Sequence, residues 1–235
     1  MAKPTATQAA RALRRHADAD KARVLQRFFK TSPGEYGAGD VFIGVVVPAT
    51  RRVGREFHDL ALGEIQKLLH SKVHEDRMLA VVILVRQFER GDAATQARIY
   101  AFYLKNARRI NNWDLVDVSA AQIVGGFLWE QDRAVLKQLV RSQLLWERRI
   151  AVIATFYFIR RRDFSDCLDL CRALLNDEHD LMHKACGWML REVGKRDANV
   201  LRGFLQTYSS RMPRTMLRYA IEKFTPAERQ KWLKA

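Results

Sequence analysis

Cationic and aromatic residues return along this chain at a nearly constant interval. Arg77, Trp113, Arg149 and Lys184 each fall in the first turn of an expected helix, at spacings of 36, 36 and 35 residues. A period in that range is the mark of stacked helical hairpins. One hairpin cannot bury its own apolar face, so neighbours must stack and share a continuous core. The expected fold is therefore all-α, a superhelical stack of HEAT-like antiparallel helix pairs. Stacking sets equivalent helices side by side on one concave face. The residues at the shared phase would make that face basic.

Apolar spacing supports this along most of the chain. Leu25, Phe28 and Phe29 follow i, i+3, i+4 and close an N-terminal helical hairpin. Helices are then predicted at 48–58, 61–70, 74–90, 92–108, 112–128, 132–143, 146–162, 164–176, 180–195, 197–209, 213–223 and 225–233. The breaks are short and polar, at Gly91-Asp92, Asn111-Asn112, Ser142, Asp177 and Ser209-Ser210. The irregular stretch is 32–48, with Pro33, Gly34, Gly37, Gly39 and Gly44. Its run from Val41 to Val47 has strand composition, yet no second strand exists to pair with it. A buried extended loop is expected there, with Pro48 restarting helix. No stretch reads as an interdomain linker. Residues 1–235 are expected to form one domain, with about 1–18 a flexible N-terminal extension.

Charge narrows the choice of partner. Forty-one Lys and Arg against 26 Asp and Glu leave a formal net charge of +15. A surplus of this size favours a polyanion, nucleic acid ahead of an acidic membrane surface. Cys167, Cys171 and Cys186 form an odd set without zinc spacing, so they read as reduced core residues. His70 and His74 are i, i+4, as are His179 and His183, but each pair lacks a third ligand nearby. Surface histidines at helix ends are expected, and no metal or other cofactor. No run is long and apolar enough to span a membrane. Residues 2–29 carry charge throughout and lack the apolar core of a signal peptide. A cytoplasmic monomer is expected.

The most informative segment is Asn112-Trp113-Asp114-Leu115-Val116-Asp117. Asn112 suits a helix cap, and Asp114 suits the positive end of the helix. Trp113 and Asp117 are four apart and share one face. Spacing alone leaves two readings open: a core indole with a salt-bridged acid, or a functional pair. Arg51-Arg52, Arg108-Arg109 and Arg160-Arg161-Arg162 are either solvated faces or phosphate contacts. Trp129, Trp146 and Trp232 read as packing residues.

With these residues in place, the chain resembles the bacterial AlkD-type DNA alkylation repair glycosylases from about Phe28 onward. The resemblance rests on the loop Tyr36-Gly37-Ala38-Gly39-Asp40-Val41-Phe42-Ile43-Gly44-Val45 with Pro48 and Arg52. It rests most specifically on Asn112-Trp113-Asp114-Leu115-Val116-Asp117 with Ser119. Trp146-Glu147-Arg148-Arg149 and Gly187-Trp188-Met189-Leu190-Arg191-Glu192 add to it. The resemblance implies a catalytic role for Asp117 and a sugar-contacting role for Trp113. It implies DNA contacts at Trp188 and at Arg149, with Arg148 the neighbouring alternative; Arg77 and Lys184 join them by phase. It also implies a substrate, double-stranded DNA carrying alkylated bases, and hence an association with the nucleoid.

Such a family removes cationic purines of the 3-methyladenine and 7-methylguanine type. The implied chemistry suits the residues. An alkylated ring nitrogen already makes the base a good leaving group. Bond breaking then develops positive charge on the sugar, and one carboxylate beside it can stabilise that charge and orient water. The alternative is a non-catalytic DNA-structure-binding protein on the same scaffold.

Overall fold

The computed structural model describes residues 3–234, and its described residues are helical with no named strand. Two compact units divide between Ile123 and Val124, a division that no linker in the sequence announces.

The first unit contains α1 (Ala6–Arg14), α2 (Ala19–Phe28), α3 (Val47–Glu56), α4 (Leu62–Leu69), α5 (His74–Arg90), α6 (Ala93–Lys105) and α7 (Trp113–Asp117). Helix starts follow local chemistry. Thr5 and Gln8 form a reciprocal capping box on α1, and Asp18, Asp92 and Asn112 cap α2, α6 and α7. Pro48 sits in the first turn of α3. Helix α5 packs on α3 and α4 and is buried along most of its length through Leu79, Ile83 and Leu84. Helix α1 packs on α3, α4 and α5 with Ala9 and Leu13 fully buried. The expected flexible extension is thus a packed helix over residues 6–14: its Ala and Leu positions make an apolar stripe that other helices cover.

The second unit contains α8 (Gly126–Leu128), α9 (Ala134–Leu139), α10 (Leu145–Ala154), α11 (Phe156–Ile159), α12 (Ser165–Ala173), α13 (Asp180–Arg196), α14 (Ala198–Tyr208), α15 (Arg214–Ala220) and α16 (Pro226–Lys234). Helices α13 and α15 form its closest pair. Gly187 permits this, since a Cβ there would lie 2.6 Å from the Met216 carbonyl oxygen. Cys167, Cys171 and Cys186 are buried free thiols in this unit. No helix among the described residues is long and apolar enough to cross a membrane.

The loop between α2 and α3 solves its backbone problem in an unusual way. Val41 makes an isolated parallel bridge with Val73, so one residue does find a strand-like partner. Phe42 and Val45 are buried while Val41 and Val46 are exposed. The amides of Ile43, Gly44 and Val45 donate to the Glu75 carboxylate at 2.8–3.2 Å. A side chain from the first turn of α5 thus replaces a neighbouring strand.

Gly44 is required in this loop. Its φ is +82°, and a Cβ would fall 2.0 Å from the Asp18 carbonyl oxygen. Left-handed backbone and overpacking each cost on the order of 1–3 kcal/mol. Gly44→Ala is expected to lower Tm by roughly 5–10 °C, read by thermal denaturation; an unchanged Tm would show the contact is relieved cheaply.

Candidate active site

Helix α7 is short, and its surroundings define it. Leu115 and Val116 are fully buried, which anchors the helix. Trp113 and Asp117 are only partly buried, so the i, i+4 face they share reaches solvent. At the N-terminus, buried Asn112 accepts the Trp113 amide at 2.8 Å. At the other end Ser119 donates to the Leu115 carbonyl at 2.6 Å, and the Tyr103 hydroxyl lies 2.8 Å from Ser119 Oγ. Burial raises the Tyr103 pKa; Ser119 opposes the rise and the nearby Asp117 charge adds to it. Tyr103 therefore remains a neutral phenol beside an acid. Directly beyond lies a π-helical turn, Ala121–Gly125, where one continuous α-helix is expected from sequence.

An ionic network holds α7 from behind. His74, 2% exposed, lies 2.8 Å through Nε2 from Asp114 Oδ2 and 3.2 Å through Nδ1 from Asp40 Oδ2. Asp40 Oδ1 is 2.6 Å from an Arg77 guanidinium nitrogen. That nitrogen makes no aligned hydrogen bond, so the contact is an ion pair of charges rather than a directed bond. Burial lowers the His74 pKa, but hydrogen bonds to Asp114 and Asp40 outweigh it and the net shift is upward. For Asp40, burial raises the pKa, and the His74 and Arg77 contacts reverse this to a net lowering. His74 thus lies buried between two carboxylates that favour its charged form, and is not the surface histidine the sequence suggests.

The same imidazole ends an aromatic stack. His74 stacks on Phe42 at 4.4 Å, Phe42 on Phe29 at 4.9 Å, and Phe29 on Trp113 at 5.2 Å, with interplanar angles of 22°, 20° and 16°. Tyr36 accepts the Trp113 indole N–H at 3.3 Å. The glycine loop and the end of α2 therefore build a rigid wall behind Trp113.

The second unit holds the remaining candidates. Arg149 is 4% exposed and donates to the Leu181 carbonyl at 2.6 Å. Arg148 pairs with Asp177 at 2.7 Å and donates to the Ser142 carbonyl at 2.9 Å. Lys184 pairs with Asp180 at 2.7 Å. Trp188 is partly exposed and tilted against Phe156 at 5.9 Å, and Arg160 lies over that Phe156 ring.

The hydrogen bonds correct the repeat phase. Arg77 donates to the Ser71 carbonyl, Arg148 to the Ser142 carbonyl, and His183 to the Asp177 carbonyl, each six residues back. Ser71 and Ser142 also reach Asp76 and Glu147 five residues on. The structural register is therefore Arg77, Arg148 and His183, one residue before the expected Arg149 and Lys184. These side chains tie down the loops between helices. Arg77, expected to face DNA, is 3% exposed and spends its charge on Asp40. The recurring Ser-x-x-x-x-acid-Arg pattern at Ser71 and Ser142 is the sequence signal for this arrangement.

The family model for DNA alkylation repair enzymes matches residues 9–224. The chain belongs to this family. The match begins inside α1, so relatedness to DNA alkylation repair enzymes reaches further toward the N-terminus than the expected start near Phe28. A solved structure from Enterococcus faecalis, described as a predicted DNA alkylation repair enzyme, superposes with a TM-score of 0.72. It covers 90% of this chain and 98% of that one at 14% identity, which supports a shared fold. No curated protein matches the chain.

In this family member, the buried histidine makes a pH prediction. A pKa raised by folding stabilises fully below its unfolded value, near 6.5, and the contribution fades as pH rises through the higher folded value. Stability of the wild type should therefore decline as pH rises above about 6.5 by this contribution. His74→Phe keeps the stack but removes that dependence, and leaves Asp40 and Asp114 without the imidazolium. Urea denaturation across pH 5.5–9, roughly the range histidines titrate over, checks it. Parallel pH profiles for the two proteins would argue against a charged His74.

Proposed function

We propose that this chain is a DNA glycosylase that hydrolyses the N-glycosidic bond of cationic alkylated purines in duplex DNA. The observation that carries the reading is the placement of Asp117 and Trp113. They share a partly exposed face of α7, while buried Leu115, Val116 and the His74 network hold the helix behind them. Membership of the DNA alkylation repair enzyme family supports it, as does the net charge of +15.

The chemistry needs little from the protein. In 3-methyladenine and 7-methylguanine the base already carries positive charge, so it departs without a general acid. Positive charge develops on the sugar as the bond breaks. The Asp117 carboxylate stabilises that charge and orients the attacking water. Trp113, backed by Phe29, offers a fixed aromatic surface to the deoxyribose and favours cationic groups. In the second unit, Trp188 and Lys184 are partly exposed candidates for backbone contacts. Arg149 is the proposed phosphate-binding residue, with Arg148, which pairs with Asp177, the neighbouring alternative. A phosphate would have to compete with the Leu181 carbonyl for Arg149. Arg77, buried against Asp40, has no part in this reading.

The test is release of 7-methylguanine from methylated duplex DNA by the full chain. Salt-sensitive duplex binding with no base release from any alkylated substrate would favour the non-catalytic binder instead.

A further inference from the structure

A groove of about 270 Å³ in the first unit lies between α3, α5 and the turn after α7. Arg51 and Arg55 enter it from α3, four residues apart on one helix face. Arg86 enters from α5, and Val118 and Gln122 line the remaining side. Two buried polar atoms here lack a partner: Arg86 Nε has no acceptor and Gln122 Oε1 has no donor. Burying such atoms unpaired is costly. Elsewhere in the chain, guanidinium groups that are largely buried meet carboxylates: Arg77 meets Asp40, Arg133 meets Asp163 and Asp166, and Arg148 meets Asp177. Among the described residues, no carboxylate pairs with Arg51, Arg55 or Arg86. Glu89 is the one acid lining the groove, and it is exposed.

We propose that this groove is a phosphate-binding site and that a backbone phosphodiester of the bound duplex occupies it. The assignment to DNA rests on the reading of the chain as a duplex-DNA enzyme. Three cations against one carboxylate favour an anion. Planar guanidinium forks suit phosphate oxygens above a single-point acceptor. Placement relative to Asp117 makes the site useful. Val118 follows Asp117 directly, and Gln122 lies five residues beyond it, past the turn that ends α7. A phosphate in the groove would therefore hold the duplex close to a sugar at Asp117, setting register without reading sequence.

The experiment is fluorescence anisotropy of the full chain with a short undamaged duplex, from about 50 to 200 mM salt. Arg86→Gln is expected to weaken binding roughly tenfold at low salt and to reduce the log–log salt slope by about one. Arg86→Lys should restore the slope but only part of the affinity, because it keeps the charge without the fork. Arg51→Gln with Arg55→Gln, at exposed positions that do not threaten folding, should also reduce the slope by about one, since all three guanidinium groups meet the same phosphate. Arg229→Gln, an exposed charge on α16, should change neither quantity. Unchanged affinity and slope in both groove variants, with wild-type binding intact, would overturn the proposal. The undamaged duplex separates this test from base release: absent release with these slopes intact sinks the glycosylase reading alone. If the wild type binds no duplex, inorganic phosphate titrated against the Arg86 side-chain NMR resonance decides. A saturable shift lost in Arg86→Gln keeps the phosphate site and rejects DNA as its source. No shift rejects both.

Discussion

Asp117→Asn is expected to lower release of 7-methylguanine from methylated duplex DNA by roughly 10²–10³-fold, the usual loss when one preorganised electrostatic contact is removed. The substitution is nearly isosteric, so it changes charge more than shape. Other groups anchor helix α7. Leu115 and Val116 are buried, Asn112 caps the start, and Ser119 and Tyr103 hold the end. Binding to undamaged duplex should therefore stay within a few-fold of wild type. That split separates chemistry from binding: an interaction made only in the transition state lowers the rate without weakening the ground-state complex. The measurement is single-turnover release beside anisotropy on the same preparations. Release at the wild-type rate would remove Asp117 from the mechanism, whatever the binding shows.

How much of this was legible in the sequence differs between elements. Helix α5 is expected at 74–90 and occurs at His74–Arg90, because a long apolar periodicity with a Gly-Asp stop leaves few alternatives. The span 112–128 is less faithful. It breaks after Asp117 into a π-turn at Ala121–Gly125, and an apolar run that stays buried carries no mark of a change from 3.6 residues per turn. Gly125 marks the place, since a Cβ there would lie 2.2 Å from the Ala154 carbonyl oxygen. That Trp113 and Asp117 share one face follows from i, i+4 spacing. What backs it does not. Asp40, His74 and Asp114 meet across 34 and 40 residues of sequence, and periodicity reports apolar faces, not distant ionic partners. Counting cations then placed the repeat phase one residue late at Arg149 and Lys184, because a period alone cannot say which side chain turns back to its loop.

Glu75→Ala tests whether that hidden scaffold serves the site. Glu75 is 3% exposed and takes the amides of Ile43, Gly44 and Val45. Its truncation leaves three donors of an unpaired extended segment without an acceptor. Each orphaned donor costs about 1–3 kcal/mol where water cannot reach it, so a total loss of about 3–5 kcal/mol is expected, allowing for partial relaxation. At roughly 2–4 °C per kcal/mol for a chain of this size, Tm should fall by about 10 °C or somewhat more. Glu75→Gln keeps one acceptor oxygen but loses the charge that strengthens these bonds, so it should fall between the two. The loop so held carries Asp40 and Phe42, which contact His74, and Phe42 stacks on the Phe29 that backs Trp113. Loosening it should therefore slow base release at temperatures where the variant is still folded, even though Glu75 lies behind the reacting face. A Glu75→Ala protein with wild-type Tm would mean that water or a shifted backbone satisfies the three amides. A destabilised variant with wild-type release would mean that α7 holds Trp113 without help from the loop.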